Sequence, residues 1–167
     1  MIVIADTTPL NHLILIDQVP ILEALYQRVI VPSAVLTELQ AGGAPPKVVA
    51  WVGRRPDWLE VDFTAFPPEP GLAHLDDGER NAISLAQKLG ADLVLMDDLG
   101  GRREALRRNL KIAGTLTVLY LAAERGLLQD FSATLQQQLQ TGFRASPEIV
   151  QLFLDRYARR QKPPSSA

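Results

Sequence analysis

Residues 1–10 read MIVIADTTPL, where a short apolar run ends at Asp6 and is followed by two threonines and a proline. The β-branched residues of this run predict a short buried strand. Pro9 is typical of the first turn of a helix, and Thr7 or Thr8 is predicted to cap that helix. A carboxylate therefore stands at the junction between a buried strand and the helix that follows it.

The same arrangement returns at residues 91–101, ADLVLMDDLGG, where an apolar run ends at Asp97 and Asp98. Strand-like and helix-like segments alternate along the rest of the chain, which predicts an α/β fold with a central, mainly parallel sheet. Ligands bind at the carboxyl ends of the strands in such sheets, so Asp6 and Asp97 are predicted to share one edge and form a site. The alternative is that each aspartate only caps the helix after it.

The chain has 167 residues, the size of one domain. It shows no internal repeat and no linker, so we predict a single domain over residues 1–160. Its last helix is predicted to cover about residues 147–160, with Ser146 and Pro147 at its start. Residues 161–167, QKPPSSA, are predicted to form a disordered tail.

The composition excludes several classes of protein. Apolar residues make up 47% and charged residues 22% of the chain, which excludes a disordered protein. No apolar run approaches the ~20 residues that cross a bilayer, and the absence of cysteine excludes disulfides and thiolate metal sites. We therefore expect a cytoplasmic protein with no membrane partner. With a net charge of −2, any contact with nucleic acid must use a local basic patch.

Further carboxylates lie on predicted helices. Glu38 flanks the apolar face of residues 34–43, AVLTELQAGG, and by itself it is typical of a solvated helix residue. Asp76 and Glu79 have the spacing of a capping box, so Asp76 and Asp77 are interpreted as helix caps rather than ligands. The chain has no GxGxxG, Walker A or GxSxG motif, so neither a nucleotide cofactor nor a serine nucleophile is expected.

Five segments, taken in order, resemble the PIN-domain nucleases, in particular the PIN-like branch related to VapC-type toxins of bacterial toxin–antitoxin pairs. They are IADTTPLNHL, VPSAVLTEL, LDDGERNAISLA, LVLMDDLGGRREA and IAGTLTVLYLA. The resemblance covers residues 2–128 and implies a three-layer α/β/α domain. It also implies hydrolysis of RNA phosphodiester bonds with Mg²⁺ or Mn²⁺, leaving 5′-phosphate and 3′-hydroxyl ends.

The resemblance further implies which residues are catalytic. The acidic positions of the family match Asp6, Glu38, Glu79 and Asp97. Many toxin relatives have aspartate where this chain has Glu79. Asp98 lies beside Asp97, and Asp97 is expected to be the principal ligand because it comes first after the strand.

Each residue has an expected role in this resemblance. Asp6 and Asp97 are expected to bind the metal directly, because hard divalent cations prefer carboxylate oxygens. Glu38 and Glu79 would orient water or a second ion, with Asp98 in the outer shell. Hydroxyl groups that accompany such sites match Thr7 and Thr115. The implied role is that of a toxin, whose partners would be RNA, a small antitoxin protein and a second copy of the chain.

A basic segment follows the second acidic run. Residues 100–111, GGRREALRRNLK, are predicted to hold the RNA backbone through four arginines, Arg102, Arg103, Arg107 and Arg108. Arg103 and Arg107 lie one helical turn apart. The alternative is a solvated helix face that binds nothing.

Competing families fit less well. A phosphatase of the haloacid dehalogenase type needs a second aspartate two residues after the first, and Thr8 stands there. A receiver domain needs a lysine at the end of a late strand, whereas KIAG, residues 111–114, has its lysine at the start. The remaining alternative is a catalytically inactive PIN-like module that binds RNA or protein. The presence of all the expected acidic residues favours the enzyme.

Overall fold

The computed structural model describes residues 1–161, so all of the predicted tail except Gln161, which ends the last helix, lies outside the described residues. Within these residues the strands are β1 (Val3–Ala5), β2 (Val29–Pro32), β3 (Leu59–Asp62), β4 (Leu93–Leu95) and β5 (Ile112–Ala113). They form a single parallel sheet in the order β3-β2-β1-β4-β5. The predicted α/β class and the parallel sheet are confirmed.

Helices flank this sheet throughout the described part of the chain. They are α1 (Thr7–Leu15), α2 (Ile21–Tyr26), α3 (Ser33–Leu39), α4 (Pro46–Val52), α5 (Asp77–Leu89), α6 (Leu99–Arg107), α7 (Thr115–Glu124), α8 (Phe131–Gln140) and α9 (Pro147–Gln161). A short 3-10 turn, Pro70–Leu72, lies in the proline-rich loop before α5. Among the helices of residues 1–161, none combines the length and the apolar character that crossing a bilayer requires.

The sheet separates two apolar clusters, because successive residues of a strand face opposite sides. Ile4 and Val94 pack with apolar residues of α5 and α6. Val3 and Leu95 face the other side and pack with apolar residues of α1–α4, α7 and α8. The protein therefore has the three-layer α/β/α arrangement that the resemblance implied.

The helix starts differ from the prediction at one point. Helix α1 begins at Thr7, so its cap position is Asp6, and the prediction of Thr7 or Thr8 as the cap was wrong. The reason is that the Thr7 hydroxyl donates a hydrogen bond to Glu38 instead. Helix α5 begins with the predicted capping box of Asp76 and Glu79.

Three adjacent strands end at the same level of the sheet. Ala5 of β1 pairs with Leu95 of β4, which pairs in turn with Ala113 of β5. The backbone N–H of Asp6 continues the ladder by donating to the carbonyl of Leu95 at 2.9 Å. The residues that follow these strands therefore share one edge, as predicted for Asp6 and Asp97.

Candidate functional site

Asp6 is the most deeply placed carboxylate at this edge. Only 2% of its surface is exposed. It occupies the cap position of α1, yet its side chain makes no capping hydrogen bond. Within residues 1–161, its Oδ1 atom has no hydrogen-bond partner at all. A buried, unpartnered carboxylate oxygen is costly, so capping does not explain this residue.

Other carboxylates surround Asp6. Burial raises the pKa of its carboxyl well above the ordinary value, and a backbone N–H of Thr7 acts in the opposite direction. The negative charges of Asp76, Glu79 and Glu38, in that order of size, raise this pKa further. The fold thus concentrates negative charge around a buried acid, which a positive ion would relieve.

Glu38 is held by two neighbours rather than by solvent. Its Oε1 accepts a hydrogen bond from the backbone N–H of Gly78 at 2.7 Å, and its Oε2 accepts one from the Thr7 hydroxyl. A Cβ on residue 78 would lie 2.6 Å from Oε2 of Glu38 and 2.9 Å from the Thr7 hydroxyl. Any larger residue at 78 would require the Glu38 and Thr7 side chains to shift, so glycine fits this close approach of α5, and Glu38 joins α1, α3 and α5 at the site.

Glu79 is both a capping residue and a member of the carboxylate cluster. Its N–H donates to Oδ1 of Asp76 at 2.8 Å, and its Oε2 accepts from the N–H of Asp76 at 3.2 Å. Only 5% of the residue is exposed. Burial, and then the charges of Asp76 and Asp98, raise its pKa from 4.5 to about 7. Glu79 therefore caps α5 and also lies among the acids around Asp6.

Asp97 is bound to the start of α7. Its Oδ1 accepts from the backbone N–H of Thr115 at 2.8 Å, and its Oδ2 accepts from the Thr115 hydroxyl at 2.6 Å. Thr115 is fully buried. The two residues predicted separately, as a ligand and as an accessory hydroxyl, are in direct contact.

Asp98 is exposed and caps α6. Its Oδ1 accepts from the N–H of Gly100 at 2.7 Å and from that of Gly101 at 3.2 Å. Its charge also raises the pKa of Glu79. Of the two adjacent acids, Asp98 is thus the one that caps the following helix, and it lies near the carboxylate cluster as well.

Asp76 is the residue whose position the sequence interpretation missed. It was assigned only as a cap, and it is one. Its charge is nevertheless the largest of the charges that raise the pKa values of Asp6 and Glu79. The capping-box spacing placed Asp76 beside Glu79, but no local pattern places it beside Asp6, which lies 70 residues earlier (76 − 6).

The four predicted RNA-binding arginines fall into two groups. Arg102 donates to the carbonyl of Met96 at 2.9 Å, and Arg108 is paired with Glu104 and Glu69. The other two lie exposed on α6, where Arg107 is 3.2 Å from Glu104 and Arg103 forms no ion pair within residues 1–161. Arg103 and Arg107 are therefore the most exposed of the four, and of these two only Arg107 is paired with an acid within residues 1–161.

The donor set fits a divalent cation, although it is not preassembled. In residues 1–161, no three Asp, Glu, His or Cys side chains already converge as a metal centre would require. The carboxylate oxygens of Glu38 accept hydrogen bonds from Gly78 and Thr7, and those of Asp97 accept hydrogen bonds from Thr115. The open oxygen of Asp6 and the acids around it are nevertheless the hard ligands that Mg²⁺ and Mn²⁺ prefer.

Comparison with known proteins identifies the family of the chain. The family model DUF3368, described as a PIN domain, matches residues 2–159. Comparison with curated protein sequences gives no match. The matched range contains all the strands of the sheet and every carboxylate discussed above. PIN domains are generally nucleases. The chain therefore belongs to the DUF3368 family of PIN domains.

Proposed function

We propose that this PIN domain is a divalent-metal-dependent endoribonuclease that hydrolyses the phosphodiester bonds of RNA. The observation that carries the proposal is the carboxylate of Asp6. It is buried at the carboxyl ends of parallel strands, has an oxygen without a partner in residues 1–161, and feels the charges of three other acids. A bound cation would balance this charge and bring a reactive water to the same place.

The residues of the cluster would hold that cation. When bound, Mg²⁺ or Mn²⁺ supplies a water of lowered pKa and a positive charge beside the reacting phosphate. Asp6 is proposed as the innermost ligand because its Oδ1 is open. Asp97 remains a proposed ligand, with Thr115 orienting its carboxylate. Glu38 and Asp98, both fixed by backbone N–H groups, orient the surrounding water.

Glu79 is proposed to accept a proton during the reaction. Glu79 is buried and its charge acts on Asp6, so its carboxylate lies near the place where the attacking water would be held. In its carboxylate form it would take a proton from the water that attacks phosphorus. The bond from phosphorus to the 3′-oxygen then breaks and that oxygen takes a proton from solvent, which leaves a 5′-phosphate and a 3′-hydroxyl.

The substrate and protein partners are part of the same proposal. RNA would contact Arg103 and Arg107, whose positive charge is exposed on α6 directly after the acidic pair. The resemblance to VapC-type toxins supports the role of a toxin in the cytoplasm. An antitoxin protein and a second copy of the chain are its proposed protein partners.

A second candidate is a PIN-like module that binds RNA without cutting it. One observation favours it. The carboxylate oxygens of Glu38 and Asp97, which were expected to serve the metal site, already accept hydrogen bonds from other groups of the protein. A catalytic site would then require at least one of these side chains to release a neighbour when the cation binds.

The decisive experiment measures cleavage of end-labelled RNA by the purified chain with Mg²⁺ or Mn²⁺ and with excess chelator. Asp6→Asn should lower the rate at least ~100-fold, equivalent to ~2.7 kcal/mol of barrier. Asp130→Asn is the matched control, because Asp130 caps α8 away from the site. Cleavage that continues in chelator, or that Asp6→Asn leaves unchanged, would contradict the proposal. RNA binding without cleavage would support the second candidate.

A further inference from the structure

A cavity of about 450 Å³ lies beside the carboxylate cluster, on another face of α5. One wall is the loop of residues 66–73, which contributes the ring of Phe66, three prolines and Leu72. The other wall is the polar face of α5, which contributes Asp77, Asn81 and Ser84 at helical spacing. A smaller cavity of about 350 Å³ lies next to it and shares Phe66 and Ser84. The volume is that of a small-molecule site rather than a protein interface.

The charges around this cavity are neutralised in pairs. Asp77 pairs with Arg80, whose guanidinium also donates to the carbonyl of Leu75. Glu69 pairs with Arg108. An anionic phosphate would find no free positive charge here within residues 1–161. The part of a ligand that enters this cavity is therefore uncharged.

The two walls together suit a flat ring with a polar edge. Phe66 and the prolines offer apolar surfaces on which such a ring stacks. On the opposite wall, Asn81 uses one amide hydrogen to donate to the carbonyl of Asp77 at 2.7 Å, and its carbonyl oxygen meets no donor within residues 1–161. Ser84 adds a hydroxyl, which can donate or accept. A nucleobase combines these surfaces in one ligand.

The position of the cavity links it to the cluster. Asp77 follows Asp76 directly, and Arg80 follows Glu79, so the first turn of α5 carries acids of the cluster on one side and the cavity on another. An RNA strand with its phosphate at Asp6 would pass over this turn. We propose that the cavity binds an unpaired base of the RNA strand close to the phosphate that is cut. This inference rests on the function proposed above.

The lining also indicates which bases fit. Asn81 and Asp77 both line the cavity and carry acceptor oxygens, which complement the amino groups of adenine, cytosine or guanine. Uracil has no amino group, and its one N–H on this edge, at N3, can donate to only one of these acceptors, whereas an amino group has two hydrogens. We expect the three amino-bearing bases to bind about fivefold more tightly than uracil, the effect of one hydrogen bond.

The test uses the full chain labelled with ¹⁵N and titrated with the four free nucleosides, which carry no phosphate. Adenosine, cytidine and guanosine should shift the side-chain amide signal of Asn81 and the backbone signals of residues 77–84. Asn81→Leu, similar in size, should weaken binding about fivefold because it removes one hydrogen bond. Ser84→Tyr should fill the cavity and abolish binding. Ser132→Tyr, the same change on the exposed face of α8, should leave binding intact.

The outcomes separate this inference from the proposed function. Nucleoside shifts that are absent, or that Asn81→Leu and Ser84→Tyr leave unchanged, overturn the inference even if the protein cuts RNA. Nucleoside binding at these residues in a protein that cuts no RNA supports the cavity assignment and overturns the proposed nuclease function. Shifts of equal size for uridine and the other nucleosides overturn the base preference.

Discussion

Thr115 holds both carboxylate oxygens of Asp97, one through its backbone N–H at 2.8 Å and the other through its hydroxyl at 2.6 Å. Thr115 is the first residue of α7, whose cap residue, Gly114, has no side chain to offer. Asp97, which follows β4, therefore accepts the N–H of the first residue of α7, as a cap residue would, although α7 itself follows β5. Its structural role and its proposed role in metal binding can be measured separately.

The first prediction concerns three versions of residue 97. Asp97→Asn keeps an oxygen for the Thr115 N–H, so the metal-free protein should stay about as stable as the wild type. Asp97→Ala removes the bonds to Thr115 and should cost ~1 kcal/mol. Melting curves with and without Mn²⁺ measure both effects, because a ligand of the native state raises the melting temperature. Identical metal-induced shifts in all three proteins would mean that Asp97 is not a ligand.

The second prediction concerns pH. The folded-state pKa of Glu79, about 7, lies above its ordinary value of 4.5. Its contribution to stability is therefore complete below pH 4.5 and is lost as the pH rises through about 7. The metal-free protein should lose stability over this range, by at most ~1.4 kcal/mol per pH unit from this one group. The raised pKa of Asp6 acts in the same direction.

Urea denaturation at several pH values checks this prediction. Glu79→Gln should flatten the pH dependence while it preserves the capping box, because glutamine fills that position as well. Mn²⁺ should oppose the loss of stability, since it binds the deprotonated carboxylates. A metal-free protein that becomes more stable between pH 5 and pH 7.5 would show that Glu79 and Asp6 are not the acids that dominate this range.

The third prediction concerns the exposed arginines of α6. Changing Arg103 and Arg107 together to glutamate should weaken RNA binding and lower the slope of log affinity against log salt by about 1.4, the value for two lost contacts on a single strand. The matched control changes Arg54 and Arg55, which are exposed just after the end of α4, to glutamate. Equal loss of affinity in the two double variants would mean that only net charge matters.

The fourth prediction concerns the approach of α5 to Glu38. Gly78→Ala would place a Cβ 2.6 Å from Oε2 of Glu38, so we expect a loss of ~1–3 kcal/mol and a weaker metal-induced rise in melting temperature. Gly53→Ala is the control, because its Cβ would meet only carbonyl oxygens at 3.5 Å and beyond. If both variants are equally stable, the contact between α5 and Glu38 is not tight.

Local patterns were sufficient to predict most of the fold. The apolar runs before Asp6 and Asp97 indicated buried strands, and the spacing of Asp76 and Glu79 indicated the capping box that the structure contains. Parallel pairing followed from the alternation of strands and helices. The positions of Asp6 and Asp97 after their strands then predicted one shared edge of the sheet, because this depends only on the parallel direction of β1 and β4 and not on side-chain packing.

The contacts of the site could not be predicted in the same way. Asp97 meets Thr115 across 18 residues of sequence, and Arg108 meets Glu69 across 39. Such pairs depend on how loops bring distant segments together, and the local sequence pattern does not predict that arrangement. For the same reason, the sequence of residues 100–111 did not distinguish its arginines from one another. In the fold, Arg108 is paired with two glutamates, whereas Arg103 is exposed.

The pairing of β1 with β4 has a consequence for the synthesis of the protein. These neighbours at the centre of the sheet are far apart in the sequence, and the hydrogen bond from the N–H of Ile2 to Asp92 beside them joins residues 90 positions apart. Until the ribosome has made β4, β1 has no partner on that side, and Asp6 at its end lacks Asp97. A chain that ends before Asp97 therefore lacks part of the carboxylate cluster, so a nascent chain acquires any hydrolytic activity only after more than half of its length has been made.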